Sequence, residues 1–284
     1  MKKNRPLSFA VLIAIYALCS ALGIILYPRL PFDGWLSLLI TDLVCTLFVF
    51  GFSLILDNAS VYDPYWSVQP SVILLSVFPY SNSDPYMTVL LVAVVLWSVR
   101  LSANFAYTFT DFTYEDWRYR MLKEKTGVFY PVINLVGIHM VPTLVVYLAV
   151  LPAFFVMTEG GGGSPLSLIG ALLCFGAVVL QTVADLQMHS YRRTRKTTFI
   201  EQGLWRHSRH PNYLGEILMW LGVCIFALIY LGFRWYLAAG AVANTALFLL
   251  VSIPLADKRQ SRKDGFADYK ARTRALLPIP KMHG

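Results

Sequence analysis

The stretch Tyr213-Leu214-Gly215-Glu216-Ile217-Leu218-Met219-Trp220-Leu221-Gly222-Val223-Cys224-Ile225-Phe226-Ala227-Leu228-Ile229-Tyr230-Leu231 is 19 residues long and carries one charge. A helix rises about 1.5 Å per residue, so this run approaches the roughly 30 Å depth of a bilayer's hydrocarbon core. Similar runs recur on either side of it: Phe9 to Tyr27, Trp35 to Leu56, a shorter one from Val68 to Pro79, Tyr86 to Ala106, Ile133 to Met157, Leu166 to Leu186, and Trp235 to Leu255. Of the 284 residues, 57% are hydrophobic and only 14% charged, whereas a soluble domain carries roughly 25% charged residues. The pattern predicts an all-α polytopic membrane bundle of about eight crossings. The short third run is flanked by Tyr62, Tyr65, Trp66 and Tyr80, as in an interfacial aromatic belt.

Charge orients the bundle, because short cytosolic loops collect Lys and Arg. With the N-terminus inside and eight crossings, 22 of the 24 Lys and Arg fall on the cytosolic side, leaving Arg29 and Arg234 outside. Both termini are then cytosolic. The net charge of +8 is accounted for by this topology and by anionic headgroups, without nucleic acid. The expected partner is therefore the lipid bilayer, with no obligatory protein partner. The first apolar run lacks a small-residue cleavage site and reads as a retained span. Cys19, Cys45, Cys174 and Cys224 all lie within apolar runs, without metal-type spacing, and read as small core residues.

Polar chemistry is confined to the cytosolic segments. The most specific string is Arg209-His210-Pro211-Asn212-Tyr213-Leu214-Gly215-Glu216, which leads from a basic loop into an apolar run. Pro211 suits a first helical turn, where its missing N–H would be unpaired anyway. The free donors of that helix start, with Arg206 and Arg209 beside them, would attract phosphate. Asn212, Glu216 and Trp220 follow at i, i+4 and i+8, on one helical face. A carboxylate and an amide at this depth are functional candidates; the plainer reading is a helix cap with interfacial anchors. Asp185 precedes a second basic stretch, with Arg192 and Arg195, that topology alone could explain. Asp63, before Pro64 and two aromatics, reads either as a turn residue or as a carboxyl at the mouth of an apolar pocket, kept protonated by burial. Glu115-Asp116-Trp117-Arg118-Tyr119-Arg120 and the Arg100/Asn104 end of a span add further polar groups. Asn134 and His139 read as interhelical hydrogen-bonding residues. Neither a G-x-G-x-x-G nor a P-loop string is present.

These strings resemble the steroid 5α-reductases and the bacterial membrane reductases sharing their C-terminal domain (DUF1295-like), over roughly Asp57 to Pro280. Asn212 through Gly222 is similar to that family's Asn-aromatic-Leu-Gly-Glu run ending in Trp-x-Gly. Gln202-Gly203-Leu204, Phe266-Ala267-Asp268-Tyr269 and Arg274-Ala275-Leu276-Leu277-Pro278 resemble its other signatures, and Glu115 to Tyr119 its bacterial branch. The resemblance implies a seven-helix reductase core at 57–284 behind N-terminal transmembrane helices at 1–56. It implies NADPH bound from the cytosol and an apolar enone substrate, such as a 3-oxo-Δ4 steroid, reduced at its carbon–carbon double bond. Asn212, Glu216 and Trp220 match the nicotinamide half. Asp185, Arg192, Arg195, Arg206 and Arg209 match the adenosine and phosphate side, with Arg100, Arg118, His210 and Tyr213 as further cofactor candidates. Lys258 and Arg262 fall where the family has His and Tyr contacts, and Tyr269 lies in the C-terminal signature. Asp63 takes the place of a catalytic glutamate, with Tyr107 as its candidate partner.

Two other readings stand beside this one. The Arg-His-Pro-x-Tyr-x-Gly pattern is shared with membrane methyltransferases that act on isoprenylcysteine or phospholipid amines and bind S-adenosylmethionine. A non-catalytic lipid-binding membrane protein is the other.

Overall fold

The computed structural model describes residues 3–82, 84–161, 163–194 and 197–279. Its helices are α1 (Arg5–Leu26), α2 (Gly34–Ile55), α3 (Tyr65–Val77), α4 (Pro85–Thr108), α5 (Trp117–Thr126), α6 (Tyr130–Ile133), α7 (Val141–Glu159), α8 (Leu168–Thr194), α9 (Pro211–Tyr230), α10 (Ala239–Leu247), α11 (Ile253–Gln260) and α12 (Phe266–Arg272). Wider π turns at Asn134–Met140 and Phe248–Ser252 join α6 to α7 and α10 to α11. The helix starts follow local chemistry. Asn4 accepts from the Leu7 N–H and Asp116 from the Arg118 N–H, and Pro211 occupies the first turn of α9.

The all-α membrane bundle is what the apolar runs predict, but the count of full-length spans is seven, not eight. Among the described residues, seven helices are long and apolar enough to cross a membrane: Arg5–Arg29, Gly34–Ile55, Pro85–Thr108, Trp117–Glu159, Pro165–Thr194, Pro211–Tyr230 and Trp235–Gln260. The run from Val68 to Pro79 forms α3, a helix of 13 residues. At about 1.5 Å per residue it reaches about 20 Å, short of a roughly 30 Å core.

The chain divides into two compact units. The first comprises Met1–Ser83 and Val94–Thr158. Its core gathers Leu12, Ile15, Val49, Tyr62, Tyr65 and Phe109, with Phe112 and Tyr119 from the segment following α4. Arg5 on α1 donates to the Ala106 carbonyl near the end of α4, so the first turn of one helix meets the last turn of the other.

The second unit comprises Asp84–Ala93 and Glu159–Gly284. Its centre is the α8/α9 pair. A Cβ on Gly222 would lie 2.7 Å from the Gly170 carbonyl oxygen and 2.6 Å from Cys174 Sγ, and one on Gly215 would lie 2.2 Å from Gln181 Cγ. Small residues let two membrane helices approach this closely, which maximises dispersion contact where lipid offers no hydrophobic drive. Both α9 glycines belong to the Asn212–Gly222 string, so part of that string is packing.

Candidate functional site

In the second unit, the three motif segments converge on the start of α9. Ser208 pairs with Arg274 in an isolated parallel bridge. The Arg209 and His210 N–H groups donate to the Arg274 and Ala275 carbonyls, each at 3.0 Å. The loop before α9 is thereby held by the C-terminal signature. From the other side, the Leu204 N–H donates to Gln187 on α8 at 2.9 Å, and Trp205 Nε1 donates to the Ala184 carbonyl at 3.1 Å. Tyr269 donates to the Trp205 carbonyl and packs with Phe266 against Phe199.

A buried charge cluster fastens this assembly. Asp257 accepts from Arg209 Nη2 at 2.8 Å and faces His210 Nε2 at 2.9 Å, and Lys270 lies at 3.4 Å. Arg209 also donates to the Thr273 carbonyl. The side chains of Arg209, His210 and Asp257 are all less than a tenth exposed. Burying such charges is costly unless they are paired and hydrogen-bonded, and here they are. The sequence places Arg209 and His210 among the candidate cofactor contacts; in the structure both meet the chain's own carboxylate.

The remaining candidates of this unit divide by exposure. Arg192 at the end of α8, Arg206, Lys258 on α11 and Arg262 are exposed; Asp185 and Glu216 are partly buried and Trp220 is buried. Tyr213 is stacked on His210, with ring centroids 5.1 Å apart, and meets Phe248 at 4.9 Å. Asn212 is partly buried, and its Oδ1 has no partner among the described residues. Arg195 lies outside the described residues.

In the first unit, two other motif segments dock on one another. Asn58 donates to the Phe112 and Tyr114 carbonyls at 3.0 and 2.7 Å. Glu115 accepts from the Ala59 N–H at 3.0 Å, and Ser60 Oγ accepts from the Asp116 N–H at 2.8 Å. Asp63 accepts from the Tyr119 hydroxyl at 2.6 Å. Burial, and then the Asp116 charge, push the Asp63 carboxyl up to about 7 against the pull of Tyr119, Arg118 and Ser60. A carboxyl so poised exchanges a proton near neutral pH. Arg118 is held by Asp116 through two contacts of 2.8 and 3.2 Å. Arg100 is partly buried on α4, and Tyr107, farther along that helix, is 49% exposed.

Comparison with known proteins assigns the family. The DUF1295 family, described as a protein of unknown function, matches residues 49–273. The chain belongs to the DUF1295 family. An uncharacterized protein of Schizosaccharomyces pombe is 27% identical over 211 residues, covering 64% of this chain and 61% of the relative. The chain thus spans about three fifths of the length of the curated relative it matches. No solved structure matches.

The DUF1295 match takes in every motif segment above up to Thr273 but begins partway along α2, at residue 49. Just ahead of it lies a residue the sequence reading passed over. Asp42 is 3% exposed within α2, accepts from the Tyr65 hydroxyl at 2.5 Å and from Gln69 Nε2 at 2.7 Å, and lines a cavity of about 250 Å³. Asp63, the acid that the sequence favoured, does not line that cavity, whereas Tyr65 does. A signal for Asp42 was available, since it is the one charged residue in the run Trp35 to Leu56 and intramembrane acids are functional candidates.

Proposed function

We propose that this DUF1295 protein is an NADPH-dependent membrane reductase acting on the carbon–carbon double bond of an enone lipid, with a 3-oxo-Δ4 steroid as the substrate class that the resemblance implies. The observation that carries the reading is Asn212. Its Oδ1 is without a partner among the described residues in the first turn of α9, in a family string whose other polar members, Tyr213 and Glu216, lie on the same helix. An unpaired amide acceptor fits the donor face of a nicotinamide carboxamide. Burying such an acceptor unused costs about 1–3 kcal/mol, so a ligand donor there recovers what folding alone forgoes.

NADPH, when bound, supplies the hydride. The chain's own residues do the rest. Asn212 orients the carboxamide, and the exposed Arg192, Arg206, Lys258 and Arg262 offer charge to phosphates. Asp63, with its proton held near neutral pH and its carboxyl oriented by Tyr119, donates to the substrate's developing oxygen charge. Arg209 and His210 act indirectly, by fixing the loop that precedes Asn212. We assign both termini to the cytosolic face, with the short α3 carrying the chain across between α2 and α4 beside the seven full-length spans. The distribution of Lys and Arg supports this, as does the bond from Arg5 to the Ala106 carbonyl, which brings the start of α1 to the end of α4.

The test is thermal unfolding of the purified protein in detergent with NADPH, NADH or S-adenosylmethionine. A ligand that binds only the native state at a hundred times its Kd stabilises by about 2.7 kcal/mol. NADPH should raise Tm, Asn212→Ala should remove that rise while leaving the unliganded Tm nearly unchanged, and oxidation of NADPH should require an added enone. Stabilisation by S-adenosylmethionine alone would overturn the proposal in favour of methyl transfer.

A further inference from the structure

We propose that the interior of the first unit, among α1, α2 and α3, is a binding site for a lipid alcohol. Asp42 lies about 12 Å along α2, where water is scarce. Its two oxygens are each taken by a donor, the Tyr65 hydroxyl and Gln69 Nε2. That second bond sets the amide of Gln69, because turning it over would bring Oε1 against the Asp42 oxygen, acceptor on acceptor. Gln69 is 9% exposed and its Oε1 has no partner; Thr41 is 6% exposed and its Oγ1 has none either, among the described residues. Each such group costs about 1–3 kcal/mol when left unsatisfied.

Thr41, Asp42, Tyr65 and Gln69 line the same cavity of about 250 Å³, whose remaining wall is largely apolar and includes Cys19 and Val72. A cavity of roughly 150 Å³ holds benzene, so this one takes a longer chain or a larger ring system. Its polar end must donate to an amide oxygen and, to serve Thr41 as well, share a second hydrogen bond with a hydroxyl. A hydroxyl group does both. A ketone or aldehyde only accepts, leaving Gln69 unserved. A carboxylate is acceptor-only and meets the Asp42 carboxyl. An ammonium could donate to both groups, but it would bring its charge into an apolar wall beside a carboxylate whose two oxygens are already taken by donors, at a desolvation cost a neutral hydroxyl avoids. The site stands apart from the reductase reading, since it uses none of the residues placed in that chemistry.

The experiment uses the full chain in lipid nanodiscs and a decanol analogue bearing a diazirine on its alkyl chain, with crosslinks mapped by mass spectrometry. Label should fall on the cavity segments of α1, α2 and α3. Unlabelled decanol should compete on the order of tenfold better than decanal, decanoate or decylamine, as one buried hydrogen bond predicts. Val72→Trp, which fills the cavity, should abolish the label. In Asp42→Asn the new amide can donate to Gln69 Oε1 and turn its Nε2 to the cavity, so the preference for decanol over decanal should shrink toward equality. Thr41→Val, which leaves the Asp42 contacts intact, should weaken decanol a few-fold if Asp42→Asn does not fold. Label scattered over lipid-facing residues, label surviving Val72→Trp, or equal competition by all four compounds would each overturn the proposal, the last two leaving a cavity filled by water or by any apolar chain. Because NADPH stabilisation is read separately, failure here and failure of the reductase reading are distinguishable.

Discussion

Asp257 and Asp42 are both buried acids, at 5% and 3% exposure, and they are satisfied in opposite ways. Asp257 meets Arg209, His210 and Lys270, and the two cations Arg209 and Lys270 neutralise it from within the chain. Among the described residues, Asp42 meets the neutral Tyr65 and Gln69, beside a cavity and two polar atoms without partners. The first is closed and fastens the α9 start to α11 and the C-terminal segment. The second is open, and what it lacks is what a ligand can bring. Burial of a charge does not by itself mark function; the nature of its partners and the space beside it do.

The largest effect should come from Asp257→Ala. Removing one member of a buried ion pair leaves the other uncompensated, at a cost of about 3–5 kcal/mol, read as a large fall in Tm in detergent. A loss under about 1 kcal/mol would mean that water or lipid headgroups already serve Arg209, and the contrast with Asp42 would collapse. Asp42→Leu should cost less, about 1–3 kcal/mol, by stranding the Tyr65 hydroxyl and the Gln69 amide. Equal losses at the two sites would show that charge pairing is not what separates them.

Asp63 offers a pH test between these extremes. Its folded-state carboxyl is raised toward 7, so the folded chain binds that proton more tightly than the unfolded one. The stabilisation is full below the unfolded value near 4 and is lost as pH rises through the folded value near 7. Tm measured from pH 4 to 8 should therefore fall less steeply in Asp63→Asn than in the parent. Parallel curves would remove Asp63 from the titrating groups. The smallest effect is expected at Lys270, whose side chain is 51% exposed. Lys270→Ala should cost under about 1 kcal/mol, which would assign the work at Asp257 to Arg209 and His210.

Much of the fold was legible because it rests on local rules. Apolar length announced the long helices, and Pro211 marked the start of α9. The third run misled because apolar character persists beyond the helix itself; α3 stops at Val77, and a tight 3-10 turn with Pro79 follows. Asn134 does reach another helix, donating to Ser53 on α2 at 3.2 Å. His139 instead turns back through Nδ1 to its own segment's Asn134 carbonyl at 3.0 Å, across the π turn. The sequence marks Arg209 and His210 as candidate cofactor contacts from the basic loop and helix start where they stand. Their partner Asp257 is 48 and 47 residues away respectively, beyond what a local reading of charge can see.

By itself the sequence determined that this chain lives in a membrane, which segments can form its long helices, and which short strings set it in its family. These follow from apolar length, from capping chemistry and from residue types in order along the chain. Only the tertiary structure decided which acids are closed and which are open, because that depends on groups brought together from distant positions. Asp42 and Asp257 carry the same side chain in the sequence. One folds against cations and the other against an amide, a phenol and a cavity, and the low dielectric of the interior makes that difference in partners decisive.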